Sequence, residues 1–107
     1  MLSDQEFQRK ADEALDALYQ RLASASENFD FDVEMNSGAL TIEFEDPPAR
    51  FVVSPNSSVA QIWVSANVRS YKFDWSPQAS AFLLPDGRNL DQLITSAIRE
   101  HLPDFSF

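Results

Sequence analysis

Asp12 and Asp16 stand four residues apart, with Glu13 beside them, while Asp30, Asp32 and Glu34 alternate along the chain. On a helix the first spacing stacks carboxylates on successive turns, and on a strand the second makes one outward row. Carboxylate oxygens are hard donors that suit hard cations and basic protein surfaces. The chain has no cysteine and one histidine in 107 residues. That composition excludes disulfides, thiol catalysis, Cys-held iron–sulfur clusters and the common zinc patterns. No D-x-D-x-D-G loop occurs, so a tight calcium cage is not expected. What remains is weak, multi-site, oxygen-only cation binding. These acids equally fit a solvated face that keeps an edge strand from aggregating.

Net charge sharpens the question without settling it. The formal charge is −9, which argues against nucleic acid or an anionic membrane as partner. Residues 1–46 hold 12 acids against three bases, and the remainder is neutral with five of each. Asp is a poor strand residue, and like charges at i,i+4 on a helix cost about 0.2–0.5 kcal/mol. Arg9 is placed to offset Glu13, and Lys10 to offset Glu6. The row Asp30, Asp32, Glu34 contains no base.

Trp63 is the second chemically suggestive residue. Alternation that buries Ile62 and Val64 turns Trp63 outward with Gln61 and Ser65. An outward indole on a polar strand face is either an interface anchor or is covered by a loop or by the tail Asp104-Phe105-Ser106-Phe107. Trp75, sharing a face with Tyr71 and Phe73, is expected in the core. The lone His101 reads as structural, near a helix C-terminus. Two glycines leave no phosphate cradle, and no Ser-His-Asp set or buried carboxylate pair can be assembled. The chain is not expected to be an enzyme.

The elements that position these residues follow from periodicity. Ser3 to Glu6 reads as a capping box, with Leu2 and Phe7 as a hydrophobic staple. Phe7, Ala11, Leu15, Leu18 and Leu22 form one helical stripe, followed by a polar connection at Ser24 to Asn28. Phe29, Phe31, Val33 and Met35 alternate with the acids in a half-buried strand. A turn at Asn36-Ser37-Gly38 leads to a second strand with Leu40, Ile42 and Phe44 inward and Thr41, Glu43 and Glu45 outward. A break at Asp46-Pro47-Pro48 precedes strands at Phe51-Val53, Ala60-Ser65, Tyr71-Trp75 and Ala81-Leu84, with turns at Pro55-Ser58 and Pro85-Gly87. A final helix, capped at Asn89, carries Leu90, Leu93, Ile94, Ala97, Ile98 and Leu102 on one face and ends at Pro103. Helix, consecutive strands, helix predicts a single α+β domain over residues 1–107. Its fold is a two-layer α-β sandwich: an antiparallel sheet of about six strands with both terminal helices on one face.

The order of motifs resembles the frataxin family, in its bacterial, CyaY-type form. Gln61-Ile62-Trp63-Val64-Ser65 followed by Tyr71-Lys72-Phe73-Asp74-Trp75 is similar to the family's Q-I/V-W-L-S/A … Y/F-D-W signature. Glu6-Phe7 … Ala11-Asp12-Glu13-Ala14-Leu15 resembles its first helix, and Asn36-Ser37-Gly38-Ala39-Leu40-Thr41 its hairpin. Asp86-Gly87 before Leu90 and Leu93 matches the turn into its last helix. Lys72 stands where an Arg or His occurs in the family, and Ser76 to Leu84 lacks the Trp common on its later strand.

This resemblance implies a function. Frataxins have the sandwich fold and bind ferrous and ferric iron at an acidic ridge, which here corresponds to Asp4, Asp12, Glu13, Asp16, Asp30, Asp32 and Glu34. They contact the cysteine desulfurase and scaffold of iron–sulfur cluster assembly through that ridge and the outer sheet surface, here Glu43, Gln61, Trp63, Ser65 and Lys72. The expectation is therefore an iron-binding, non-enzymatic regulator or iron supplier of cluster assembly. The alternatives are a ferroxidase-type storage protein and a metal-independent acidic interaction module. The expected state is a monomer, with iron-driven oligomers and slow ferroxidase behaviour known in some members. With no basic, apolar leader at its start and no long apolar run, the chain is expected in the cytoplasm, or in the mitochondrial matrix as a processed form.

Overall fold

The computed structural model describes residues 2–45 and 48–107. The break expected at Asp46-Pro47 lies outside them. The elements are α1 (Asp4–Ala25), β1 (Asp32–Asn36), β2 (Ala39–Glu45), β3 (Pro48–Asn56), β4 (Gln61–Ala66), β5 (Arg69–Ser76), β6 (Ala81–Leu83) and α2 (Leu90–Arg99). The six strands form one sheet in the order β1-β2-β3-β4-β5-β6, every neighbour antiparallel. That is the two-layer α+β sandwich expected from the element order.

Ser3 caps α1 by accepting the Glu6 backbone N–H at 3.2 Å. Glu6 does not complete the reciprocal box, because its Oε1 accepts the Ser3 hydroxyl at 3.1 Å instead. The stripe Phe7, Ala11, Leu15, Leu18 and Leu22 is buried throughout, and the helix runs on to Ala25, into the segment expected as connection. At α2 the box is complete: Asn89 Oδ1 accepts the Gln92 N–H, and Gln92 Oε1 accepts the Asn89 N–H, each at 2.9 Å.

Asn36 pairs with Ala39 across a two-residue turn, Ser37-Gly38, in which both residues have positive φ. This is the turn type whose twist matches the flanking strands. It sets the register, so Leu40, Ile42 and Phe44 enter the core with Phe51, Val53, Ile62, Val64 and Phe73.

Three details differ from the pattern reading. The first strand begins at Asp32: a Phe31 N–H to Phe29 carbonyl bond of 3.0 Å makes residues 29–31 a tight bend. Strand β3 is nine residues long and contains both Pro48 and Pro55. Pairing with β2 ends at Leu40–Val53, and pairing with β4 ends at Val52–Ser65. Each proline therefore lies where β3 has a neighbour on one side only, and a missing N–H is tolerated there. Thr41 faces outward yet is only 7% exposed, closed in between its cross-strand neighbours Glu34 and Val52.

The tail supplies a core residue that no periodicity marked. Phe105 is fully buried, packed edge-on against Phe29 and Phe31 at 5.1 and 5.7 Å, with Arg99 Nε donating to its carbonyl at 2.7 Å. It therefore closes the β1 end of the core and does not cover Trp63.

Candidate functional site

Two surfaces carry the residues singled out by the sequence. The first is the acidic flank. Strand β1 is an edge strand, and its apolar residues Val33 and Met35 pack toward the core, which turns Asp32 and Glu34 outward and exposed. Asp30 is exposed in the bend just before them. Asp32 pairs directly with Glu43 of β2, so Glu43 joins the same acidic surface. Helix α1 packs against β1. Its exposed Asp12 and Asp16 lie on successive turns.

Glu13 departs from this group. It lines a groove of about 330 Å³ between α1 and the β5–β6–α2 side, together with Lys10, Arg21, Trp75 and Asp91. Arg21 forms an ion pair with Asp91 of α2 across it. Lys10 Nζ lies 5.3 Å from the Trp75 ring centroid, and neither expected offset, Lys10 with Glu6 or Arg9 with Glu13, forms among the described residues. Helical periodicity puts Asp12 and Asp16 on the flank turned away from this groove. Asp4 is exposed in the first turn of α1, where a carboxylate is favoured by the helix dipole. Trp75 is half-buried and edge-on to Phe82 at 5.1 Å, packed at the margin of the core in which it was expected.

Among the described residues, no ion pair involves Asp4, Asp12, Glu13, Asp16, Asp30, Asp32, Glu34 or Glu43. Asp12 accepts from Gln8 Nε2 at 2.9 Å, and Glu34 from Asn36 Nδ2 at 3.4 Å. No cluster of three or more His, Asp or Glu is preassembled for a metal among them. Arg50 of β3 stands directly across from Glu43 without an ion pair between them, and the rest of the flank offers oxygen donors without a cage, which fits loosely held, largely hydrated cations.

The second surface is the outer face of β4 and β5. Trp63 is 38% exposed. It pairs directly with Lys72 on one side and Ser54 on the other. Lys72 Nζ sits 4.9 Å from the ring centroid, a cation–π contact. The exposed Ser65 pairs with Ser70. These small side chains and Val52 leave a depression of about 370 Å³ against the indole. Gln61 is half-buried beside it.

A family model for the frataxin-like domain matches residues 1–104. The chain belongs to the frataxin family. Its fold is similar to that of a frataxin from Psychromonas ingrahamii, studied for stability modulation within the CyaY protein family. The TM-score is 0.74 at 22% identity, covering 94% of this chain and 91% of that one. It is also similar to yeast frataxin, with a TM-score of 0.69 at 21% identity, covering 95% of this chain and 85% of that one. At such identities the frataxin structures speak to the fold, and membership ties the chain to an iron-related family.

One anchor of this frataxin fold was missed by sequence reasoning. Asn67, in the β4–β5 turn, donates through Nδ2 to the Ala97 carbonyl at 3.1 Å and to Glu100 Oε2 at 2.9 Å. Its Oδ1 lies 2.6 Å from His101 Nε2, and the imidazole stacks on Phe44 at 4.7 Å. The turn next to the Trp63 strand is thereby fastened to the end of α2. His101 is structural, as expected. A turn asparagine before a β-branched residue was the available signal.

Proposed function

We propose that this chain is an iron-binding accessory protein of iron–sulfur cluster assembly, one that carries ferrous or ferric iron weakly and docks on the cysteine desulfurase and its scaffold protein. The observation that carries the reading is the flank of Asp12, Asp16, Asp30, Asp32, Glu34 and Glu43, exposed and free of ion pairs among the described residues. In this reading iron is cargo. One or two carboxylates hold it, water fills the remaining positions, and exchange stays fast. The same negative field attracts a basic patch on the desulfurase, so iron and protein compete for or reinforce each other at shared carboxylates. Trp63, exposed beside Lys72, packs against the scaffold.

A non-enzymatic role is supported by the engagement of the lone histidine. His101 is stacked on Phe44 and bonded to Asn67, and is therefore not free to complete an Asp/Glu/His iron centre of the kind oxidases use. The direct test is affinity for the purified desulfurase–scaffold complex at two ionic strengths. The double variant Asp32→Asn with Glu34→Gln should bind more weakly than wild type, and the gap should narrow as salt rises. Equal binding at low salt would remove the flank from the interface.

A further inference from the structure

Trp63 is held by a chain of hydrogen bonds with only one allowed direction. Its Nε1–H donates to Gln61 Oε1 at 2.9 Å, and Gln61 Nε2 donates to Asp74 Oδ1 at 3.0 Å. An indole nitrogen only donates and an ionised carboxylate only accepts. The Gln61 amide must therefore turn its NH2 to Asp74 and its oxygen to Trp63. The strand ladder puts the parts in reach: Gln61 pairs with Asp74, and two residues on, Trp63 pairs with Lys72. Gln61 fixes the ring at its edge and Lys72 fixes it over its face.

We propose that Asp74 is a positioning residue for the partner-binding indole: acting through Gln61, it locks Trp63 in one orientation before any partner arrives. The proposal rests on the reading of Trp63 as a contact residue and deepens it. A partly exposed side chain that must be ordered on docking gives up rotamer freedom, and an indole already fixed by two neighbours has given it up on folding. Without the carboxylate the Gln61 amide is free to turn over. The amide then samples other rotamers, the indole N–H keeps its acceptor for only part of the time, and the ring is held less firmly. Asp74 need not touch the partner for this effect.

The two tryptophans make the test direct, because only Trp63 and Trp75 give indole N–H signals in a nitrogen-15 spectrum. In the free protein, Asp74→Ala should move the Trp63 signal and speed its exchange with water, leaving Trp75 in place. Asp74→Asn keeps an accepting oxygen and should restore the Trp63 signal. Against the purified desulfurase–scaffold complex, Asp74→Ala should weaken binding about three- to tenfold, the loss of one hydrogen bond. Asp74→Asn should stay within about twofold of wild type, well inside the effect of that one bond. An unmoved Trp63 signal in Asp74→Ala overturns the proposal. So does an Asp74→Asn variant that keeps the signal yet binds as poorly as Asp74→Ala, since Asp74 would then act as a charge on the partner. Trp63→Ala is the control that separates the two readings. If it binds like wild type the partner face is misassigned, while the indole response still decides the role of Asp74.

Discussion

Asp32 stands directly across from Glu43 in the β1–β2 ladder, two carboxylates on adjacent strands with no ion pair to either among the described residues. Like charges directly opposite destabilise a sheet, by about 0.2–1 kcal/mol. Glu43 faces Arg50 of β3 on its other side, so the cost falls on Asp32 at the sheet edge, where a cation or a basic protein would relieve it. Asp32→Asn should raise stability by about 0.5 kcal/mol. In a thermal melt that is a gain of about 2–4 °C. A fall in the melting temperature would mean that the pair is not a repulsive one.

The β4–β5 turn combines strain and a clamp. Val68 has φ of 59° and is fully exposed, a conformation that costs a β-branched residue about 1–3 kcal/mol. Val68→Gly should stabilise by about 0.5–1 kcal/mol in urea unfolding, since part of the relief is returned as backbone entropy. Asn67→Ala should do the opposite, by about 2 kcal/mol, because it strips the Ala97 carbonyl, Glu100 and His101 of their shared partner.

Phe105 joins the tail to the β1 end of the core. Phe105→Ala should cost about 3–5 kcal/mol, the range for a buried phenylalanine. Urea denaturation reads this directly, and a loss below about 1 kcal/mol would show that the tail is not part of the core.

Asp86 carries a small acid-dependent contribution. Its Oδ1 accepts the Arg88 backbone N–H and its Oδ2 the Arg88 Nε, both at 3.0 Å. The backbone bond above all, and the guanidinium after it, hold the carboxyl below its ordinary value. A carboxyl depressed on folding stabilises the fold above its unfolded value and loses that contribution as pH falls through its folded value. Asp86→Ala should therefore melt lower than wild type near neutrality, with the gap closing at strongly acidic pH.

Elements with a strong period were legible from the sequence. The α1 stripe, the Ser37-Gly38 hairpin and the outward Trp63 all follow from residue spacing, because each is enforced by a repeating choice between core and solvent. Phe105 has no such repeat: an aromatic two residues after Pro103 is placed by tertiary packing alone. The extension of β3 through Pro48 and Pro55 was hidden because local chemistry marks proline as a break, whereas the sheet leaves one side of β3 unpaired at both sites. At the candidate site, alternation exposed the row Asp32 and Glu34, but it does not tell which flank of a helix meets which strand. That is why Glu13, adjacent to Asp12 in sequence, turns out to line the Lys10–Arg21 groove. The Asp74–Gln61–Trp63 chain depends on cross-strand register, which no single strand reveals.

The proposed iron-carrying role puts iron on the carboxylates of the α1–β1 flank. The most direct measurement is an anaerobic titration of the nitrogen-15-labelled protein with ferrous iron, followed residue by residue. Signals of Asp12, Asp16, Asp30, Asp32 and Glu34 should broaden first, and Asp32→Asn with Glu34→Gln should weaken the response. Broadening centred on Asp86, Asp91 or the Glu13 groove, with the flank unchanged, would contradict that role.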